Sequence, residues 1–201
     1  MLPSAPEPCA VDVRRRTLRS QALAAREALS PAAHAQLTGA LVAHLDALLS
    51  WLRPSTLAFC WPYRAEPDLR AWVGGWLAAE TGRRAALPVV IDKDWPLVFR
   101  RWTPDSTLLP DRHGIPYPSA GEILVPDVVL VPLNAFDAAG FRLGYGGGYF
   151  DRTLASVSML AIGVGFELGR VPTVFPQPHD IPVSWIVTEA GARPAGAGSG
   201  T

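Results

Sequence analysis

Val128-Val129-Leu130-Val131-Pro132-Leu133 is an unbroken apolar run, and shortly after it comes Phe136-Asp137-Ala138-Ala139-Gly140-Phe141-Arg142-Leu143-Gly144-Tyr145-Gly146-Gly147-Gly148-Tyr149-Phe150-Asp151-Arg152. The first stretch reads as a strand buried on both faces. The second is a glycine-rich loop that opens a helix at about Phe150. Glycines let backbone N–H groups turn toward a ligand, and a helix start adds partial positive charge, so the combination suits a phosphate. Arg142, Gly144, Tyr145, Gly146, Gly147, Gly148 and Tyr149 are therefore candidate nucleotide contacts. The loop is not a Walker A motif, because no Lys-Ser/Thr follows. It is not the dinucleotide fingerprint either, because Tyr149 stands at the third glycine position. Glycine richness alone is equally compatible with a simple turn.

Outward from this segment, strands and helices alternate. Val11 to Leu29 reads as a helix. Ser30-Pro31 caps and starts another, in which Leu37, Leu41, Leu45, Leu48, Leu49 and Leu52 repeat on one face. Thr56–Trp61 is a short strand, Glu66–Glu80 a helix with Gly82 as its C-cap, and Ala85–Ile91 and Leu97–Trp102 are strands. Thr103 to Pro126 holds only turns. Met159–Phe166 and Trp185–Thr188 complete the strands. This alternation predicts a single α/β domain over residues 11–189, with a mostly parallel sheet covered by helices on both faces. Ligands of such sheets bind beyond the carboxyl ends of the strands. Residues 1–10 and 190–201, rich in Pro, Gly and Ala, read as flexible tails.

Composition excludes several classes. Over 201 residues, Lys+Arg and Asp+Glu balance at 18 each, which gives no polybasic footprint for nucleic acid. No apolar run approaches the length needed to cross a bilayer. The two cysteines, Cys9 and Cys60, fit no metal spacing and no disulfide framework. With no secretory signal either, the cytoplasm is the expected compartment. Lys93 is the only lysine, so a phosphate-binding cation must nearly always be Arg.

The full glycine-loop string resembles the signature of the 5-formyltetrahydrofolate cyclo-ligase family, also called methenyltetrahydrofolate synthetase. Pro132, Phe136, Asp137, Gly140, Arg142, Leu143, Gly144, Gly146, Gly148, Tyr149 and Asp151 fit it. Arg15-x-x-Leu18-Arg19, Leu87-Pro88, Gly114-Ile115, His179-Asp180 and Val187-Thr188-Glu189 resemble further family segments, so the likeness runs from about Val13 to Glu189. It implies a fold like that of the NagB/RpiA/CoA-transferase group. It also implies a reaction in which ATP phosphorylates the formyl oxygen of 5-formyltetrahydrofolate, folate N10 closes a ring onto the activated carbon, and ADP and phosphate leave, with Mg2+ required. In that reading Arg15, Arg19, Arg142, the glycine loop and Asp151 attend ATP. Arg142 and Tyr149 act at the reacting centre, Trp61, Glu66, Tyr117 and Tyr149 line the folate pocket, and Asp151 and Asp180 attend the metal.

The bottom-up reading of these residues agrees with that chemistry. Such a reaction needs positioning and charge neutralisation more than a side-chain nucleophile, and no Ser/His/Asp or Cys/His constellation stands out. On a helix Arg15, Arg19 and Arg26 fall within about 60° of one another. They are either a guanidinium row for a triphosphate or, as is commoner for surface arginines, a solvated face. Glu66 either accepts hydrogen bonds from a pterin ring or is an acid at a helix start. Asp151 is a helix-start acid in its bland reading, and Asp180 a turn residue before Pro182. The chain departs from the family at Tyr117, where a Glu is usual, at Phe150, which lacks a Tyr hydroxyl, and at Arg15 in place of Lys. Gly169 and Arg170 stand where a Gln is usual. These departures define the alternative reading, a silent or altered-substrate paralogue. Oligomeric state is not legible in the sequence.

Overall fold

Residues 9–196 are described in the computed structural model of the chain. Helix α1 spans Ala10–Glu27. Helix α2 spans Pro31–Leu52, begun by the Ser30 hydroxyl accepting from Ala33 N–H and ended by Arg53 in the left-handed conformation. Helix α3 spans Arg70–Ala79 and α4 Tyr149–Ser156. The strands are β1 (Thr56–Ala58), β2 (Arg84–Val89), β3 (Val98–Trp102), β4 (Leu108–Pro110), β5 (Pro116–Pro118) and β6 (Ile123–Leu124). After these come β7 (Val128–Pro132), β8 (Ala135–Phe136), β9 (Arg142–Leu143), β10 (Leu160–Val164), β11 (Trp185–Thr188) and β12 (Gly191–Pro194).

Eight strands form one sheet in the order β12-β11-β10-β7-β1-β2-β3-β6. The five central strands, β11 to β2, are mutually parallel, and the antiparallel pairs lie at the two margins. Both faces are covered, and the period of two along each strand sorts the residues between them. Leu57, Leu130 and Ile162 pack under α2 and α3 with Leu41, Leu45, Val73 and Trp76. Ala58, Val129, Val131 and Ala161 face the other way, toward Phe150 and Leu154 of α4. Helix α1 lies apart from both layers. Its Leu18 and Ala22 pack on Ala135, Leu143 and Val174, over the small β8–β9 ladder that frames the glycine loop.

Four expectations need correction. The carboxyl-terminal segment does not trail away at 190, because Gly191–Pro194 forms β12 against β11, and Arg193 is held by Glu167 at 2.9 Å. Residues 1–8 and 197–201 lie outside the described residues. The stretch from Thr103 to Pro126 contains β4, β5 and β6, not turns alone. Helix α3 starts at Arg70, four residues later than expected, because Arg64 and Ala65 take left-handed backbone angles and Glu66 N–H bonds back to Tyr63. It ends at Ala79 with Glu80 as its cap, so Gly82 belongs to the following turn instead of the cap.

Candidate active site

The parallel strands end together, and the loops that leave their carboxyl ends collect the candidate residues. After β7 and the β8–β9 ladder comes the glycine loop. Gly146 and Gly148 have φ of +96° and +65°, conformations that a side chain strains, and Gly148 caps α4. Tyr145, Gly146 and Gly147 are exposed. Among the described residues, none of the backbone N–H groups of Tyr145, Gly146, Gly147 and Gly148 donates to a protein acceptor. Four free donors ahead of a helix start make a positively polarised backbone of the kind that suits phosphate oxygens.

Helix α1 brings its arginine row to this loop, so the row is no solvated face. Arg19 Nε donates to Gly144 carbonyl at 2.6 Å. Partial burial, with Arg15 and Arg16 beside it, pushes the Arg19 guanidinium below its ordinary value, the mark of a cation short of anionic partners. Arg26, one of the row but not expected at the site, is 3% exposed. It donates to Asn134 Oδ1 and Tyr145 Oη, both at 2.8 Å, and to Arg64 carbonyl at 3.0 Å. It thereby ties α1, the β1–α3 loop and the glycine loop together. Its only advance signal was its helical spacing from Arg15 and Arg19.

Glu66 sits at the centre of this tie. Its carboxylate is buried and accepts from Tyr145 Oη at 2.9 Å and from Tyr63 N–H at 3.1 Å, with Arg26 at 3.9 Å. Burial pushes its pKa up, and Arg26, Tyr145 and Tyr63 only partly offset that. Burial and the Glu66 carboxylate also raise the Tyr145 phenol. His34 of α2 is half-buried and bonds the Ala65 and Glu66 carbonyls, so it supports this loop. Trp61, on the same loop, is half-buried with the Arg70 guanidinium 4.6 Å above its ring. Asn134 could not have been foreseen. With Arg26 bonded to its oxygen, its buried amide nitrogen has no partner.

The two carboxylates expected at the metal, Asp151 and Asp180, each meet an arginine. Asp151 Oδ1 accepts from Arg142 Nη2 and from Ile181 N–H, both at 3.1 Å. Asp180 takes a two-pronged contact from Arg15, at 2.5 and 3.0 Å, and the Gln177 N–H at 2.7 Å. Burial works to raise the Asp180 carboxyl, but Arg15 and the Gln177 N–H outweigh it and hold it below the usual carboxylate range. Among the described residues no group of three or more His, Cys, Asp or Glu side chains is placed to hold a metal ion. Each of the two carboxylates has an arginine as its partner. By the same contacts Arg15 and Arg142 are anchored by Asp180 and Asp151. Burial depresses Arg142, with Asp151 restoring part of the loss.

Tyr149, the first residue of α4, points its hydroxyl to Arg112, whose guanidinium donates to it. Arg112 belongs to the β4–β5 hairpin, and that hairpin and the end of β2 enclose a cavity of about 360 Å³ that Tyr117 lines. Tyr149 thus joins the cavity to the glycine loop, while Tyr117 lies on the cavity side and Glu66 bonds to Tyr145 and Tyr63.

Comparison with known proteins agrees with this geometry. The family model described as the 5-formyltetrahydrofolate cyclo-ligase family matches residues 11–189. The chain is similar to 5-formyltetrahydrofolate cyclo-ligase of Haemophilus influenzae, with 25% identity across 85% of this chain and 95% of the relative. The corresponding protein of Mycolicibacterium smegmatis is 32% identical across 71% of this chain and 80% of its own. Among solved structures, 5,10-methenyltetrahydrofolate synthetase of Aquifex aeolicus superposes with a TM-score of 0.79 at 29% identity, over 93% of this chain and 95% of that one. With the match spanning the domain that carries the glycine loop, the arginine row and Glu66, the chain belongs to the 5-formyltetrahydrofolate cyclo-ligase family.

Proposed function

We propose that this protein converts 5-formyltetrahydrofolate to 5,10-methenyltetrahydrofolate at the expense of ATP, releasing ADP and phosphate. The observation that carries this reading beyond family membership is the juxtaposition of two different sites. The glycine loop, with its four free N–H donors and Arg19, suits a polyphosphate. Glu66, fastened to the same loop through Tyr145, suits a pterin, whose ring edge offers several N–H donors to a carboxylate.

The chemistry follows from that placement. The formyl oxygen of an amide is a poor leaving group, so it is first bonded to the γ-phosphorus of ATP while the bond to the ADP oxygen breaks. N10 then gives its lone pair to the formyl carbon. The carbon–oxygen bond breaks, phosphate departs with that oxygen, and the N10 proton goes to water. Both steps need aligned reactants and neutralised charge. The loop N–H groups and Arg19 supply the neutralisation, and Arg15 and Arg142 shape the floor from their carboxylate anchors. Tyr149 borders both substrates. Magnesium enters this reading as a companion of the ATP phosphates, in keeping with its preference for retained water and few protein ligands. No helix among the described residues is long and apolar enough to cross a membrane, and we place the reaction in the cytoplasm.

The test is direct. Purified protein with ATP, magnesium and 5-formyltetrahydrofolate should generate the near-ultraviolet absorbance of the methenyl product, one ADP per turnover. ATP binding without ADP release, or ADP release only with other acceptors, would overturn the proposal.

A further inference from the structure

Away from the site, the carboxyl-terminal half of α2 and the β12 end of the sheet leave an apolar face open. Trp51, in the last turn of α2, is 71% exposed, and its ring stands 6.2 Å from that of Trp185. The two indoles border a groove of about 370 Å³, whose lining is completed by His44, Ala47 and Leu48 of α2 and Ala192 of β12. Among the described residues that lining holds no Lys, Arg, Asp or Glu. Asp46 is the one carboxylate of α2, and it accepts from Trp72 Nε1 of α3 at 3.3 Å. Two residues turn a helix face by about 200°, so Asp46 points away from the His44 side and the groove stays uncharged.

Three features point to a second copy of this chain as the occupant. The projecting ring and a groove able to receive one lie on the same face, which is what an isologous two-fold contact requires. Charge does not oppose the pairing: the chain has 18 basic and 18 acidic residues, and His44 is the one titratable group in the groove lining. Area suffices as well. A tryptophan buries about 150–250 Å², so two Trp51 rings and the grooves that receive them account for roughly half of the ~1,200 Å² that a specific contact needs. The small side chains of Ala40, Ala43 and Ala47 let two α2 helices approach to about 8–10 Å and supply the remainder. Strand addition is the poorer fit, because β12 is an edge strand that ends in Pro194, which has no N–H to give.

We propose that this face is a two-fold interface between two copies of the chain. The two α2 helices cross antiparallel near Ala47, and each Trp51 seats in the partner's groove, against the partner's His44 and Trp185. The interface is independent of the catalytic reading, and its modest size sets a dissociation constant in the micromolar range.

Oligomeric state is the readout. Sedimentation velocity of the whole chain between about 1 and 100 µM should show monomer and dimer in concentration-dependent exchange. Trp51→Glu sets two carboxylates beside the axis and should weaken the dimer about 100-fold. Ala192→Glu, on the opposite wall of the groove, should weaken it as well. Melting temperatures at about 1 µM, where the parent is largely monomeric, will verify that both variants fold. A cross-link leaves the face otherwise intact. In a Cys9→Ser background, Ala47→Cys should oxidise to a covalent dimer, because positions astride the axis bring their Cα atoms within the roughly 4.4–6.8 Å that a disulfide spans. Ala35→Cys, about 18 Å farther along the helix, should not. A monomer throughout the concentration range, a dimer unaltered by both glutamate variants, or cross-linking of Ala35→Cys in place of Ala47→Cys would each overturn the proposal.

Discussion

Tyr145 donates its hydroxyl hydrogen to Glu66 Oε1 at 2.9 Å while its oxygen accepts from Arg26 at 2.8 Å, so one phenol fastens the glycine loop to the loop that follows β1. The residue is 43% exposed, yet its hydroxyl is committed inward. Tyr145→Phe keeps the ring and removes that bridge. The change should cost about 1–3 kcal/mol, the price of leaving a buried carboxylate and a buried guanidinium each one partner short. KM for the folate should rise more than KM for ATP, because Glu66 loses its orientation. Denaturant melts beside steady-state kinetics with each substrate varied will check both parts.

Arg19 donates through Nε to Gly144 carbonyl, and a methyl group placed on Gly146 would lie 4.0 Å from its Nη2. The rest of the guanidinium is thus turned along the loop. Arg19→Gln should weaken ATP by about 1–3 kcal/mol, the scale of a charge-assisted contact. Equal ATP affinity in a folded variant, measured by calorimetry, would remove Arg19 from the phosphate site.

Asp151→Asn is expected to act through Arg142. The asparagine can still accept from one N–H, but it takes from the buried guanidinium its nearest counter-charge and leaves only the more distant Asp180, so the cost should fall below the roughly 3–5 kcal/mol of a fully broken buried pair. Melting temperature should fall, and excess magnesium should not restore turnover. Restoration by magnesium with an unchanged melt would return Asp151 to the metal.

Asp180 predicts an acid limb. Its folded pKa is depressed, so its ionised form stabilises the fold at pH above its unfolded value, and that stability is lost as pH falls from there through the depressed folded value. The parent should lose thermal stability across that interval more steeply than Asp180→Asn, whose profile should be flatter and start lower. Superimposable profiles in calorimetric scans from pH 2.5 to 6 would exclude the Arg15–Asp180 pair as the cause.

Gly146 and Gly148 differ in what a substitution would meet. At Gly148 a methyl group would meet the Arg152 guanidinium at 2.8 Å, whereas at Gly146 it would meet only Arg19 Nη2, in ordinary contact at 4.0 Å. Gly146→Ala should therefore cost about 1–2 kcal/mol from its positive φ alone, and it should disturb ATP binding more than melting. Gly148→Ala should also displace Arg152 from Gly147 carbonyl and loosen the start of α4. Circular dichroism and ATP titration of the two variants will separate these outcomes.

Elements with a strong local signature were legible in the sequence. The apolar run at Val128 could only be a doubly buried strand, and the Leu spacing of α2 fixed its inner face. For Arg15, Arg19 and Glu66, spacing and position alone also allowed a solvated face and a helix-start acid, and the family resemblance is what pointed to the site. Pairings at long range were not legible. Asp180 meets Arg15 across nearly the whole chain, and nothing local to His179-Asp180 names that partner. Asp151 looked like a metal ligand because a helix-start acid beside a phosphate loop has that profile, and only the fold shows Arg142 already beside it. The β4–β5 hairpin was hidden by Pro110, Pro116 and Pro118, residues that argue against strands unless the strand lies at an edge. β12 was hidden by a Gly/Ala composition that reads as tail.

One helix, α1, sends Arg15 to the Asp180 turn, Arg19 to the glycine loop and Arg26 to the Glu66 loop. Because each residue of an α-helix turns the face by about 100°, a single-residue insertion between Arg15 and Arg26 would swing part of the row off the site whatever the composition. Helix α1 therefore works as a key cut at three depths. Its seating decides whether the glycine loop and the Glu66 loop are held together or not at all, and hydrogen exchange along Leu18–Arg26 should slow when ATP and folate are both present.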